Sequence, residues 1–130
     1  LVIDEEGGWP VVSLVETLIA DPNVFSVTVT TPERSLGEAA LSLTWEIKSI
    51  PARIRAAGIK VLAETQVREV AGETVVLMDG TTLGPFETIV LLTGTQTNTT
   101  PEGALAIGDC VAPRGIWAAT LDAAKLARTI

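Results

Sequence analysis

No histidine occurs in this 130-residue chain, and there is a single cysteine, Cys110. Lack of histidine removes the commonest general base and the commonest metal ligand. A Ser-His-Asp hydrolase or a His-ligated zinc enzyme is therefore excluded for this chain by itself, and no metal ligands are expected in it. One cysteine allows no internal disulfide, which fits a reducing, cytoplasmic setting. Without a Cys-x-x-Cys partner or an activating histidine, Cys110 reads as a buried small residue rather than a redox thiol. Tyr is absent and aromatics make up only 4%. The nine Lys and Arg are scattered, with no basic patch, and the net charge is −7. Nucleic acid is not an expected partner of such a surface. Apolar runs such as Ile89 to Leu92 stop at strand length, far short of the roughly 20 residues a membrane helix needs. No signal-peptide pattern is visible. The chain opens on Leu1 rather than Met, directly on a strand-like run, and is expected to be a portion of something larger.

What the chain does hold is aliphatic. Hydrophobic residues reach 47%, mostly Val, Ile, Leu and Ala, a composition suited to buried parallel strands covered by helices. Leu1-Val2-Ile3 reads as a strand ending in Asp4. A polar turn, Glu5-Glu6-Gly7-Gly8, follows. Val11, Val12, Leu14, Val15, Leu18 and Ile19 then recur with helical spacing until Asp21-Pro22-Asn23. Val24 to Thr30 is β-branched and strand-like. Strand, glycine turn, helix and strand make the opening of a dinucleotide fold.

Thr31 to Thr44 reads as loop, followed by a helix to Ala57 that starts late, near Ser49, or kinks at Pro51. Gly58 closes it, and Ile59 to Ala63 is a third parallel strand. Thr65 to Val70, Thr74 to Leu77 and Thr82-Leu83, broken by Ala71-Gly72 and Asp79-Gly80, read as an antiparallel meander. Thr88 to Leu92 is an apolar strand ending in Thr93-Gly94. Thr95 to Gly103 is loop, and Ala104 to Ile107 a brief strand running into Gly108-Asp109. The tail from Gly115 to Ile130 is an amphipathic helix whose apolar stripe, Trp117, Leu121, Ala124 and Leu126, is expected to bury against other protein, of the same parent or another subunit, and to leave a patch around Trp117 exposed in this chain alone. The expected fold class is α/β, a Rossmann-like three-layer arrangement of parallel sheet, helices and small antiparallel meander.

Two places could carry nucleotide chemistry. In a working dinucleotide turn, glycines let the backbone approach the pyrophosphate at a helix N-terminus. Here Gly7 and Gly8 stand beside Asp4, Glu5 and Glu6, whose charge repels phosphate. A closed or altered turn is therefore favoured over an open one. The ribose-binding acid is late as well, at Glu33, which weakens NAD binding, and Arg34 alone speaks for NADP. The second place is Ala106-Ile107-Gly108-Asp109, where a carboxylate and nearby amides at a strand end could meet a flavin nucleotide. It lies about a dozen residues after an apolar strand ending in Gly94. Trp45 and Trp117 read as packing or interface residues.

In their order, these segments resemble the C-terminal part of the NADH:flavin oxidoreductase and trimethylamine dehydrogenase family. The matching stretches are Leu1 to Gly8, Val27 to Pro32, Ile89 to Gly94 and, most specifically, Ala106 to Arg114. The resemblance implies a pyridine-nucleotide-disulfide-oxidoreductase-like region. Residues 1–87 would form the NAD(P)-domain-like unit, and residues 88–130 the return segment of the FAD- or ADP-binding half. It implies ADP or FAD at this module, contacted by Gly94, Gly108 and Asp109, with Gly7 and Gly8 in the first turn and NAD(P)H the weaker candidate. FMN and a 4Fe-4S cluster would belong to other regions of the parent. No catalytic residue is expected in this chain. The implied partners are the remainder of the parent oxidoreductase or a partner subunit, with an electron-transfer flavoprotein a further candidate. The alternative reading is a non-catalytic interaction module for docking a redox partner or for oligomerisation.

Overall fold

The computed structural model describes residues 1–129. Two compact units divide the chain, Leu1–Thr93 and Gly94–Ile130.

The first unit is built on a parallel sheet of four short strands, in the order β3-β2-β1-β7. They are β1 (Val2–Asp4), β2 (Thr28–Thr30), β3 (Lys60–Leu62) and β7 (Val90–Leu92). Register sets Val2 beside Val29 and Val90, and Val29 beside Val61. Side chains alternate between faces along each strand, so these valines share one face. Helices α1 (Trp9–Ala20) and α3 (Ser49–Ala56) cover that face. Val11, Val12, Val15, Ile50 and Ile54 join Val2 and Val29 in one buried aliphatic cluster. Helix α3 begins at Ser49 with Pro51 in its first turn, where a missing amide costs nothing. Arg53 on α3 pairs with Glu16 on α1 at the surface.

The opposite face carries the meander: β4 (Val67–Ala71), β5 (Thr74–Leu77) and β6 (Thr82–Leu83), antiparallel in sequence order. Val75 and Leu77 pack on Ile3. The result is helix, parallel sheet and antiparallel sheet in three layers, as the periodicity predicts. β7 pairs with β1 only and is a sheet edge among the described residues. The predicted loop after β2 is more ordered than its composition implies. It holds a one-turn helix, α2 (Glu38–Leu41), and a 3-10 turn at Trp45–Ile47 follows it. Leu36 and Leu41 in this stretch are buried in the helix-side core.

The second unit holds a 3-10 turn, Gly108–Cys110, and helix α4 (Ile116–Leu126). Two expectations are corrected there. Ala104 to Ile107 is not a strand; extended backbone needs a ladder partner, and none is present among the described residues. Cys110 is exposed, not buried. The apolar stripe on α4 faces outward within this chain, as expected of a face that other protein would cover: Trp117 is 76% exposed, Leu121 and Ala124 are also exposed, and Leu126 is half-buried. The residue α4 does bury is Ala118.

Candidate functional site

The carboxyl ends of parallel strands are where open α/β sheets bind ligands. At the end of β1 stands Asp4, only 2% exposed. Its Oδ1 accepts the backbone amides of Gly7 (3.0 Å) and Glu6 (3.2 Å). Its Oδ2 accepts the Thr31 hydroxyl at 2.9 Å. Thr31 is itself fully buried at the end of β2. The glycine turn is thus closed by the chain's own anion. The amides that would face a pyrophosphate already hold a carboxylate.

Glu33 closes the same turn from above. Gly7 has φ +61°, and a Cβ there would lie 2.7 Å from Glu33 Cγ. Gly8 is the residue before α1, and no side chain caps that helix. Gly7, Gly8 and the late acid Glu33 are therefore brought together, but around an internal carboxylate. A dinucleotide phosphate does not fit this turn as it stands: its seat is filled, and Glu5 and Glu6 flank it.

Sequence reasoning placed Asp4 here as a repelling charge and missed its bonds, along with Thr31 as partner. The available signal was an Asp three residues before a glycine, a spacing in which a short carboxylate caps following amides.

In the second unit, Gly108 has φ +60°, and a Cβ there would meet Ala119 Cβ at 2.6 Å and its Cα at 2.9 Å. Close packing on α4 therefore demands glycine. The Gly108 amide donates to Asp122 Oδ2 at 3.1 Å, and the same oxygen pairs with Arg114 at 2.6 Å. Asp109 is exposed, and its Oδ1 accepts the amides of Arg114 and Gly115, each at 2.9 Å. Those bonds, Arg114's first, hold its carboxyl below the ordinary carboxylate value. No side chain caps α4, so Asp109 orders the turn leading into that helix. Gly94, with φ 103°, opens the second unit.

This layered architecture is shared with solved oxidoreductases. The chain aligns with histamine dehydrogenase from Rhizobium sp. 4-9 over 99% of its length at 15% identity, with a TM-score of 0.78. It aligns with the 6-hydroxypseudooxynicotine amine oxidase of Pseudomonas geniculata N1 over 95%, at 21% identity and a TM-score of 0.76. A ferredoxin reductase from Rhodopseudomonas palustris matches 72% of the chain at 26% identity, with a TM-score of 0.57. The chain spans 22% and 21% of the first two structures. No family model and no curated protein sequence matches it. Among the described residues, no helix is long and apolar enough to cross a membrane, and no cluster of carboxylates and cysteine could hold a metal ion.

Proposed function

We propose that this chain is the nucleotide-binding and scaffolding part of a flavin-dependent oxidoreductase, of the NADH:flavin oxidoreductase or amine dehydrogenase type, and is not catalytic by itself. The observation that carries this reading is the near-complete alignment with about a fifth of two larger amine-oxidising enzymes. In this reading residues 1–87 are the NAD(P)-domain-like unit, structural because Asp4 fills the turn. Residues 88–130 complete an ADP or FAD site. Gly94 provides a close backbone approach there. The second oxygen of Asp109 and the uncapped start of α4 face the nucleotide. FMN and 4Fe-4S chemistry belong to other regions of the parent, and the electrons pass to a partner such as an electron-transfer flavoprotein.

The test is titration calorimetry of the intact parent with ADP and with NADH, alongside its flavin content. Saturable ADP binding or retained FAD, weakened by Asp109→Ala, is the expected result. Nucleotide content unchanged by that variant rejects the assignment. A second reading, a docking module that binds no nucleotide, is favoured by the exposed Ile116 and Trp117 on α4. It predicts that Trp117→Ala weakens partner association with no change in nucleotide content.

A further inference from the structure

Strand β3 ends the parallel sheet on the side away from β7. Lys60 donates its amide to the Val27 carbonyl, and the Leu62 carbonyl accepts the Thr31 amide. Both residues therefore turn their backbone groups toward β2. Successive residues of a strand alternate in this respect, so the amide and carbonyl of Val61, between them, point away from the sheet. These are main-chain groups, fixed by the ladder on the other side of the strand. No turn or loop backbone among the described residues takes them up. Such an edge is a template for a further strand.

A groove of about 430 Å³ follows the same strand. Ile59, Lys60, Val61 and Ala63 all line it, and residues of α3 and of the loop after β2 form its other walls. Among those, Leu36 and Ile54 belong to the buried helix-side cluster, against which Ile59 and Val61 pack. Apolar surface thus runs beside the free backbone groups. The span from Ile59 to Ala63 seats roughly four residues of an added strand.

Charge selects the occupant. Of the nine Lys and Arg of this chain, Arg34, Arg55 and Lys60 line the groove. All three are exposed, and neither salt bridge among the described residues engages them. Glu38 accepts the Arg34 amide at 3.0 Å, but no Asp or Glu lines the groove. On a chain of net charge −7, three unpaired cations at one groove favour an anionic partner. We propose that the β3 edge docks an extended acidic segment of a partner protein by strand addition. Its backbone pairs with Val61, its alternate apolar side chains pack on the groove, and its carboxylates meet Arg34, Arg55 and Lys60. Nucleotide at Asp109 is not required for this contact.

The test is fluorescence anisotropy of a short labelled peptide of alternating Glu and Val, titrated with the intact protein, with hydrogen exchange read on the same complex. Saturable binding is expected, with exchange slowed at residues 59–63. A Lys–Val peptide has the wrong charge, and a Glu–Val peptide N-methylated along one edge cannot extend a ladder; both should bind several-fold more weakly. Arg55→Gln with Lys60→Gln should weaken binding several-fold and flatten its salt dependence, with the melting temperature unchanged because both side chains are exposed. The proposal is overturned if the Glu–Val peptide does not saturate, if either control peptide binds equally well, or if the double variant binds unchanged. It is also overturned if residues 59–63 already exchange slowly in the intact protein without peptide, the edge then being covered by the protein itself or by a second copy.

Discussion

The carboxylate of Asp4 and the hydroxyl of Thr31 meet at 2.9 Å across the ends of adjacent parallel strands, both buried. That bond, with the amides of Glu6 and Gly7, makes the first turn a self-contained hydrogen-bonded knot. Removing the carboxylate leaves two amides and a hydroxyl unpaired in or near the core. Asp4→Ala should therefore destabilise the first unit by about 3 kcal/mol, read by chemical denaturation. A loss well under 1 kcal/mol would show that solvent already satisfies those donors.

The same knot predicts how the turn treats phosphate. The intact chain should show no saturable NADH binding at Gly7. Asp4→Gly combined with Glu5→Ala frees the amides and removes one repelling charge. Fluorescence titration with NADH should then detect binding in the double variant if the turn is otherwise well formed. NADH binding to the unaltered chain, perturbing the Gly7 and Gly8 amides, contradicts the closed-turn reading.

Gly108 and Gly7 share positive φ but differ in what surrounds them. A Cβ at Gly7 meets the flexible end of Glu33, whereas at Gly108 it meets the backbone and Cβ of Ala119. Gly7→Ala should cost about 1–2 kcal/mol, the usual penalty for a left-handed residue with a side chain. Gly108→Ala adds overpacking of about 1–3 kcal/mol on top and should loosen α4 selectively. Helix-resolved hydrogen exchange on the two variants separates the effects, and equal losses would refute the packing argument.

Asp109 gives a pH signature. Its carboxyl is held below the ordinary value by the Arg114 and Gly115 amides, so it binds its proton more weakly folded than unfolded. Its contribution to stability is then fully present above the unfolded value and fades as pH falls through the lower folded value. NMR titration should show the Arg114 and Gly115 amides shifting together with the Asp109 carboxyl in that acidic window. Asp109→Asn should abolish the shared midpoint. Independent titration of those amides would argue that the bonds do not persist in solution.

Protection should also differ between the units. Residues 1–30 contribute Val2, Ile3, Val11, Val12, Val15 and Val29 to buried clusters, whereas residues 104–129 bury little beyond Gly108 and Ala118. Hydrogen exchange in a proven monomer should be slower in the former. Equal protection would mean that residues 104–129 need nothing further to cover Ile116 and Trp117.

Much of the fold was legible because its signals are local and repeated. The 3.6-residue spacing of Val11, Val12 and Val15 belongs to α1, and the turns at Ala71-Gly72 and Asp79-Gly80 bound the meander strands. Tertiary partners were not legible. Ala104 to Ile107 has the composition of a strand but no ladder to join among the described residues. Asp4 was visible as a charge, yet its role rests on Thr31, 27 positions away, which no local pattern joins to it.

The sheet order places β1 in the interior and β7 on its outer flank. The first of those strands is made before the last, and Leu1 N can reach the Thr88 carbonyl, 87 positions on, only after both have left the ribosome. Closing a loop of that length carries an entropic cost that local helices do not share. Synthesis at about 5–20 residues per second would leave one side of β1 unpaired for several seconds, an interval in which a chaperone or a neighbouring nascent chain could occupy the open edge.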